Sequence, residues 1–359
     1  MVNISGIQQI GIGIPDVYEA WKWYRDHFGF DVPVFDDPGT AALMLPYTGG
    51  KPQKRHAVLA INMGGGGGFE IWQYTSRTPQ PAGFDIRAGD LGIYITKIKT
   101  ADAQKAWNAF KEKGIALQGE FTKDPGGSNC FYVKDPYGNL FQVIESGAFF
   151  SKTNQATGGA YGAFIGVTDM DKSIQFYSKV LGYDRILYDQ TSVFEDLKAL
   201  PGGNGKLRRV LLTHSQPRTG PFCRMLGEST LELIQSLDRV PRKIYENRYW
   251  GDLGFIHLCY DVQGMKELKQ VCEELGHPFT VDSNPGAYEG STGTFDMGEA
   301  AGHFTYTEDP DGTLIEFVET HKLPILKKLG WFMDMKKRTP GKPLPNWMIK
   351  TMGLNRVKE

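Results

Sequence analysis

The sequence predicts an α+β fold of four similar units, each a strand, a helix and about three further strands, followed by a basic extension. Two long-range repeats and one local grammar predict it. The turn Asp135-Pro136-Tyr137-Gly138 and the run Leu140 to Glu145 return as Asp309-Pro310-Asp311-Gly312 and Leu314 to Glu319. Asp-Pro-x-Gly is a tight-turn signal and the run behind it reads as a strand, so a hairpin closes each half of the chain. Near the start of each half, Asp16 leads through Trp21 and Tyr24 to Phe28-Gly29-Phe30, and Asp169 leads through Ile174 and Tyr177 to Leu181-Gly182-Tyr183.

Taken in order, the first unit (5–75) has a β-rich strand running into Asp16, which can cap a helix, and Gly29 stops that helix in a left-handed conformation. The second (90–147) has a strand over Ile93 to Ile98, a helix from Asp102 to Lys113 and a stop at Gly114. The third (158–238) repeats the first from Asp169 to Gly182. The fourth (253–320) has a strand over Phe255 to Val262, a helix over Lys266 to Leu275 and a stop at Gly276. The segment Ser151 to Gly159 is polar and glycine-bearing, which marks a domain boundary. Neighbouring units are therefore expected to pair, giving domains at 1–150 and 158–320 and an extension at 321–359.

Composition excludes several classes. The 359 residues are 40% hydrophobic and 23% charged, which suits a globular protein of two or three domains rather than a disordered or fibrous chain. No run approaches the ~20 apolar residues of a membrane span, and the start has no basic segment leading into an apolar one. A cytoplasmic protein with reduced thiols at Cys130, Cys223, Cys259 and Cys272 is expected. A net charge of −1 gives no reason to expect nucleic acid as a partner. Residues 321–359 hold ten Lys/Arg against two Asp/Glu, a charge of +8 that leaves −9 for the rest. That tail, with Trp331, Phe332 and Trp347, is expected to wrap onto the acidic body; contact with a membrane surface is the alternative.

An Asp that caps a helix, a tyrosine at Tyr24 or Tyr177, an apolar–Gly–aromatic end, and a later Asp-Pro-x-Gly strand together resemble the vicinal oxygen chelate superfamily, over about residues 5–320. That superfamily includes glyoxalase I, extradiol and hydroxyphenylpyruvate dioxygenases, methylmalonyl-CoA epimerase and bleomycin-resistance proteins. The resemblance implies βαβββ modules paired into two glyoxalase-like half-open barrels. It also implies one divalent metal ion (Zn, Ni, Co, Mn or Fe), a small-molecule substrate, and a monomer or homodimer. Ligands come from the first and last strands of each module, so each barrel has four ligand positions. Alternate strand residues face one cavity, and a charge there is costly to bury unpaired.

In the second half these positions carry Glu232, His257 and Glu316, with Gly162 at the fourth, where water or substrate would enter. Each alone is more often a structural residue; three together point to a metal site. In the first half they carry Gln9, Glu70 and Gln142, with Gly92, Ile93 or Ile95 at the remaining position, so a degenerate site is expected and a second metal site is the weaker reading. With Asp309 to Gly312 as the turn, Thr305 would face Glu316. His303 would then lie on the same side, orienting substrate or moving protons, with Tyr306 packing on the other. The glycine-rich insertion 284–301 reads as a lid or a variable loop, and Gly64 to Gly68 as a flexible turn.

The reading that follows is a metal-dependent lyase or isomerase of the glyoxalase type, acting through an enolate or oxyanion, with Glu316 or Glu232 as base. An iron(II) dioxygenase is the first alternative, although such enzymes present two His and one carboxylate and Gly162 stands where a His is needed. A non-catalytic binding protein of the drug-resistance type is the second.

Overall fold

A computed structural model describes residues 2–289, 295–296, 301–326 and 331–357. The first unit comprises β1 (Asn3–Gly13), α1 (Val17–Phe28), β2 (Val32–Ala41), β3 (Gln53–Ile61) and β4 (Gly68–Tyr74). The second comprises β5 (Gly92–Thr100), α2 (Ala103–Glu112), β6 (Leu117–Lys123), β7 (Asn129–Lys134) and β8 (Leu140–Glu145). The third has β9 (Ala160–Gly166), α3 (Met170–Leu181), β10 (Arg185–Ser192), β11 (Leu207–Thr213), the short helix α4 (Cys223–Leu226) and β12 (Thr230–Ser236). The fourth has β13 (Gly254–Gln263), α5 (Met265–Glu274), β14 (Val281–Asp282), β15 (Phe295–Asp296), β16 (Ala301–Glu308) and β17 (Leu314–Leu326). A hairpin strand β18 (Trp331–Asp334) and a helix α6 (Asn346–Lys350) follow.

The helix boundaries are set by the residues expected to set them. Asp16 accepts from the Tyr18 and Glu19 amides, Asp102 from Lys105 and Asp169 from Lys172, while Gly29 (φ 70°) and Gly182 (φ 71°) end α1 and α3. An aspartate oxygen satisfies first-turn N–H groups that have no partner in the helix.

The strand order departs from the expected pairing of neighbours. One curled sheet runs β14-β16-β17-β13-β1-β4-β3-β2 and the other β10-β11-β12-β9-β5-β8-β7-β6. The fourth unit thus joins the first through antiparallel β1 and β13, and the third joins the second through β5 and β9. The sheets do not follow the 1–150 and 158–320 division, because each draws one unit from either side of the linker. The first strand of every unit pairs with its own last strand and has one edge left to fill, and four alike edges do not state in their local pattern which two should meet.

Neighbouring units still touch, through their helix layers. Tyr24 on α1 donates to Asp135 at 2.7 Å, and Tyr177 on α3 donates to Asp309 at 2.8 Å. The two repeated motifs are therefore the two halves of one buried contact, made once in each half of the chain. The largest apolar core surrounds it, with Trp21 and Phe28, Trp107 and Phe110, Phe176 and Leu181, and Leu268 from the four main helices.

Gly64 to Gly68, expected to be a flexible turn, is a buried crossing point. Gly67 exchanges backbone hydrogen bonds with Ala160 at 2.8 and 2.9 Å, and Gly66 donates to Met225 at 2.8 Å. A Cβ on Gly66 would meet the Ala160 oxygen at 2.7 Å, so two backbones approach only because side chains are absent. In the extension, Met335, Leu344 and Ile349 are buried with Val32, Ile61 and Met225, and Arg356 pairs with Asp31 at 3.1 Å. All four cysteines are free thiols, and among the described residues no helix is long and apolar enough to cross a membrane.

Candidate metal centre

The concave face of the first sheet gathers polar side chains from four strands. His257 Nε2 on β13 lies 3.3 Å from a Glu70 oxygen on β4 and 3.1 Å from a Glu316 oxygen on β17. From β1, Gln9 Nε2 donates to Glu70 at 3.2 Å and to Glu316 at 3.5 Å. Glu70, His257 and Glu316 each offer a ligand atom within 4.8 Å of the others. Two parallel and one antiparallel strand pairing hold this arrangement, with alternate residues turned into the cup. Gly11, opposite His257, makes room for the imidazole: a Cβ there would meet its Cε1 at 2.5 Å.

These groups fit a divalent cation. Two carboxylates, an imidazole and an amide converge, and among the described residues no Lys or Arg pairs with either carboxylate. Gln9 Oε1 and His257 Nδ1 are buried without a hydrogen-bond partner. Burial alone would lower the imidazole, but the Glu316 and Glu70 carboxylates outweigh it and push His257 up to about 9. The site lacks positive charge, and a proton on His257 supplies only part of it.

Aromatic rings wall the cup. Trp250 lies parallel to His257 with ring centres 6.1 Å apart, and Tyr306 stands edge-on at 5.5 Å. Trp250 comes from the segment joining the third and fourth units. That segment is fastened by the Trp250 amide to the Tyr47 carbonyl at 2.9 Å, by Tyr74 donating to the Trp250 carbonyl, and by buried Asp252 pairing with Arg77. Burial, and after it the Glu316 and Glu70 carboxylates, hold the Tyr306 phenol protonated, a donor toward Glu316.

The expected ligand set is therefore regrouped. His257 and Glu316 meet Gln9 and Glu70, the residues assigned to a weaker second site. Glu232 is elsewhere, in the cup of the second sheet with Gln142 and Gly162. There Glu232 lies 2.7 Å from Lys97 and accepts from Arg209 at 2.6 Å and Tyr188 at 2.7 Å. Arg209 also pairs with Asp196 at 2.7 Å, Tyr132 donates to Asp196 at 3.1 Å, and Gln142 donates to Tyr132 at 3.1 Å. Burial would raise the Glu232 carboxyl, yet Arg209 and Lys97 outweigh it and hold it below the ordinary carboxylate range. By strand register Ile95 takes the place of His257 and Lys97 that of Cys259. A Cβ on Gly162 would meet the Thr230 oxygen at 1.8 Å. This cup carries its own cations.

His303 and Tyr306 exchange the faces expected of them. The β16–β17 turn closes with the Asp309 amide donating to the Thr313 carbonyl, and Glu308 pairs with Leu314 rather than Thr313. That one-residue slip sets Tyr306 opposite Glu316 and His303 opposite Glu319. His303 faces away from the centre and bonds Asp282 at 2.7 Å, with Tyr288 donating to the same carboxylate at 2.8 Å. Of the 284–301 insertion, Pro285–Glu289 forms a 3₁₀ turn, and 290–294 and 297–300 lie outside the described residues. Trp250 and Gly11 are the site residues that sequence reasoning missed, and Tyr306 is the one it assigned to packing. Of those two, Gly11 lies within the run Gly11-Ile12-Gly13, a signal visible in the sequence.

A fold of paired βαβββ units around an inward polar cluster defines a class of proteins. The profile of the glyoxalase/bleomycin resistance protein/dioxygenase superfamily matches residues 6–143 and again 161–317, and the chain belongs to that superfamily. Glyoxalase I from Zea mays is similar in structure, with 14% identity over 98% of this chain and 97% of that one and a TM-score of 0.52. A Bacillus subtilis protein proposed to be a dioxygenase is 13% identical over 99% of this chain and 97% of that one, with a TM-score of 0.55. At these identities the likeness is one of fold. No curated protein matches in sequence.

Proposed function

We propose that the chain is a metal-dependent enzyme of the glyoxalase type, a lyase or isomerase acting on a small carbonyl compound at one centre formed by Gln9, Glu70, His257 and Glu316. The observation that carries this reading is the convergence of two carboxylates and an imidazole, within 4.8 Å and, among the described residues, without a partnering Lys or Arg. The related cup has such partners for Glu232.

Bound there, a divalent ion supplies Lewis-acid polarisation of a carbonyl oxygen, which acidifies the neighbouring C–H. The chain supplies the rest. Glu70 has fewer donors around it than Glu316 and is slightly more exposed, 12% against 9%, so it is the freer carboxylate to take that proton. Tyr306 holds Glu316 in place through its hydroxyl. Trp250 and Tyr306, packed edge to face with ring centres 6.2 Å apart, form an apolar wall beside His257 that keeps water from it.

Elemental analysis of native protein beside His257→Ala tests the reading. About one divalent ion per chain is expected in the first and a large loss in the second. Equal metal in both, or none in native protein after loading, overturns it.

A further inference from the structure

The C-terminal extension leaves most of its charge unpaired. From Met335 to Val357 it carries Lys336, Lys337, Arg338, Lys342, Lys350 and Arg356 and no Asp or Glu. Only two of these meet a carboxylate among the described residues: Arg356 pairs with Asp31 of the body at 3.1 Å, and Lys337 with Asp334 of the extension itself at 3.5 Å. Lys336, Lys342 and Lys350 are exposed and make no ion pair with a described residue, while Arg338 donates to the Lys342 and Pro343 carbonyl oxygens. Apolar packing, more than charge pairing, fastens this segment to the body.

The helix α6 and the 3₁₀ turn behind it, Thr351–Asn355, have two unlike faces. Ile349 is 1% exposed, and a Cβ on Gly353 would meet the Met63 side chain at 3.6 Å, so this side lies on the body. Trp347, Lys350 and Leu354, spaced by three and four residues, share the other side, with Trp347 64% and Leu354 85% exposed. Arg224 on α4 adds a second cation at the start of α6, donating to Asn346 Oδ1 at 3.2 Å and pairing with no carboxylate among the described residues. A single exposed leucine needs no explanation. Two large apolar side chains on one stripe, with an unpaired lysine between them, do.

We propose that this stripe docks the protein on an anionic lipid surface, with the Trp347 and Leu354 side chains at the headgroup boundary and the Lys350 and Arg224 cations on lipid phosphates. A bilayer surface satisfies both kinds of group at once, because Lys and Arg reach headgroups on long stems while the apolar tips beside them enter the interface. The net charge of −1 gives the whole chain no pull toward anions, so a preference for anionic lipid has to come from this face. Docking needs no metal and stands or falls apart from the centre.

Co-sedimentation of the full chain with vesicles tests this. Native protein binds phosphatidylcholine vesicles containing about one-third phosphatidylglycerol, binds pure phosphatidylcholine roughly tenfold more weakly, and is released at about 0.5 M NaCl. Lys350→Gln weakens binding about fivefold, and Trp347→Gln with Leu354→Gln weakens it by roughly tenfold or more. Lys123→Gln, which removes the same charge from an exposed position on β6 of the other sheet, leaves it unchanged. No binding to the mixed vesicles, equal binding to both kinds, undiminished affinity in the double variant, or a loss in Lys123→Gln as large as in Lys350→Gln overturns the proposal. So does sedimentation velocity without lipid that shows a dimer dissociated by Leu354→Gln, because the stripe is then the seat of a second copy of the chain.

Discussion

Replacing one glutamate by glutamine in each cup separates their roles. In Glu232→Gln, the buried cations Lys97 and Arg209 face a neutral amide, and removing one partner of a buried ion pair costs about 3–5 kcal/mol. Unfolding entropy of about 2.1 cal/mol/K per residue over 359 residues gives roughly 0.75 kcal/mol/K, so Tm falls by about 4–7 °C. Bound metal does not change, because Glu232 touches no group of the other cup. In Glu70→Gln the order reverses. One of two mutually repelling carboxylates goes while His257 keeps Glu316 at 3.1 Å, so the metal-free Tm moves by less than about 2 °C and the metal is lost. Calorimetry on chelated and loaded samples, with elemental analysis of each, reads both effects. A stable Glu232→Gln or a metal-replete Glu70→Gln shows that charge is not divided between the cups as described.

Two further outcomes rest on other parts of the molecule. Burial, with a smaller push from Glu319 and opposed by a Ser5 hydrogen bond, raises Asp261 from 3.8 to about 7. Folded protein thus holds a proton that unfolded protein releases, and stability falls as pH rises from about 4 to about 7. Asp261→Asn removes that slope and gains up to about 4 kcal/mol over the native chain at pH 8, read by urea unfolding at pH 5 and pH 8; parallel curves at both would place the group as an ordinary carboxylate. In the extension, Ile349→Ala should cost about 2–4 kcal/mol because Ile349 is 1% exposed, and an unchanged unfolding midpoint would mean the tail is not packed.

Whatever depends on local pattern could be read from the sequence. Asp16, Asp102 and Asp169 cap helices because a short acceptor before an apolar stripe does so anywhere, and Tyr24 and Tyr177 were visible as a repeat before their aspartate partners were known. Gln9, Glu70, His257 and Glu316 were each visible as polar breaks in apolar strands. Their grouping was not, because it depends on which unit's first strand pairs with which, and β1, β5, β9 and β13 are alike in kind. His303 and Tyr306 were separated by a single residue of turn length, which no periodicity reports. Trp250 sits in a connection with no period at all, where only the folded chain shows what it covers.

Which cup takes a cation follows from adding inward-facing charges sheet by sheet. In the second sheet Lys97 and Arg209 make three short ion pairs with Glu232 and Asp196, beside the buried carboxyl of Asp124. An added divalent ion would have to share space with an ammonium 2.7 Å from its would-be ligand, and the repulsion at low dielectric would exceed anything one carboxylate returns. In the first sheet Glu70 and Glu316 have an imidazole, an amide and the Tyr306 phenol, and among the described residues no Lys or Arg. Without a proton on His257 the cluster is doubly negative and desolvated, a state that buried carboxylates do not tolerate. At the register position where the second sheet has Lys97, the first has Cys259. That replacement removes the built-in ammonium, so the first cup lacks the cation that the second carries.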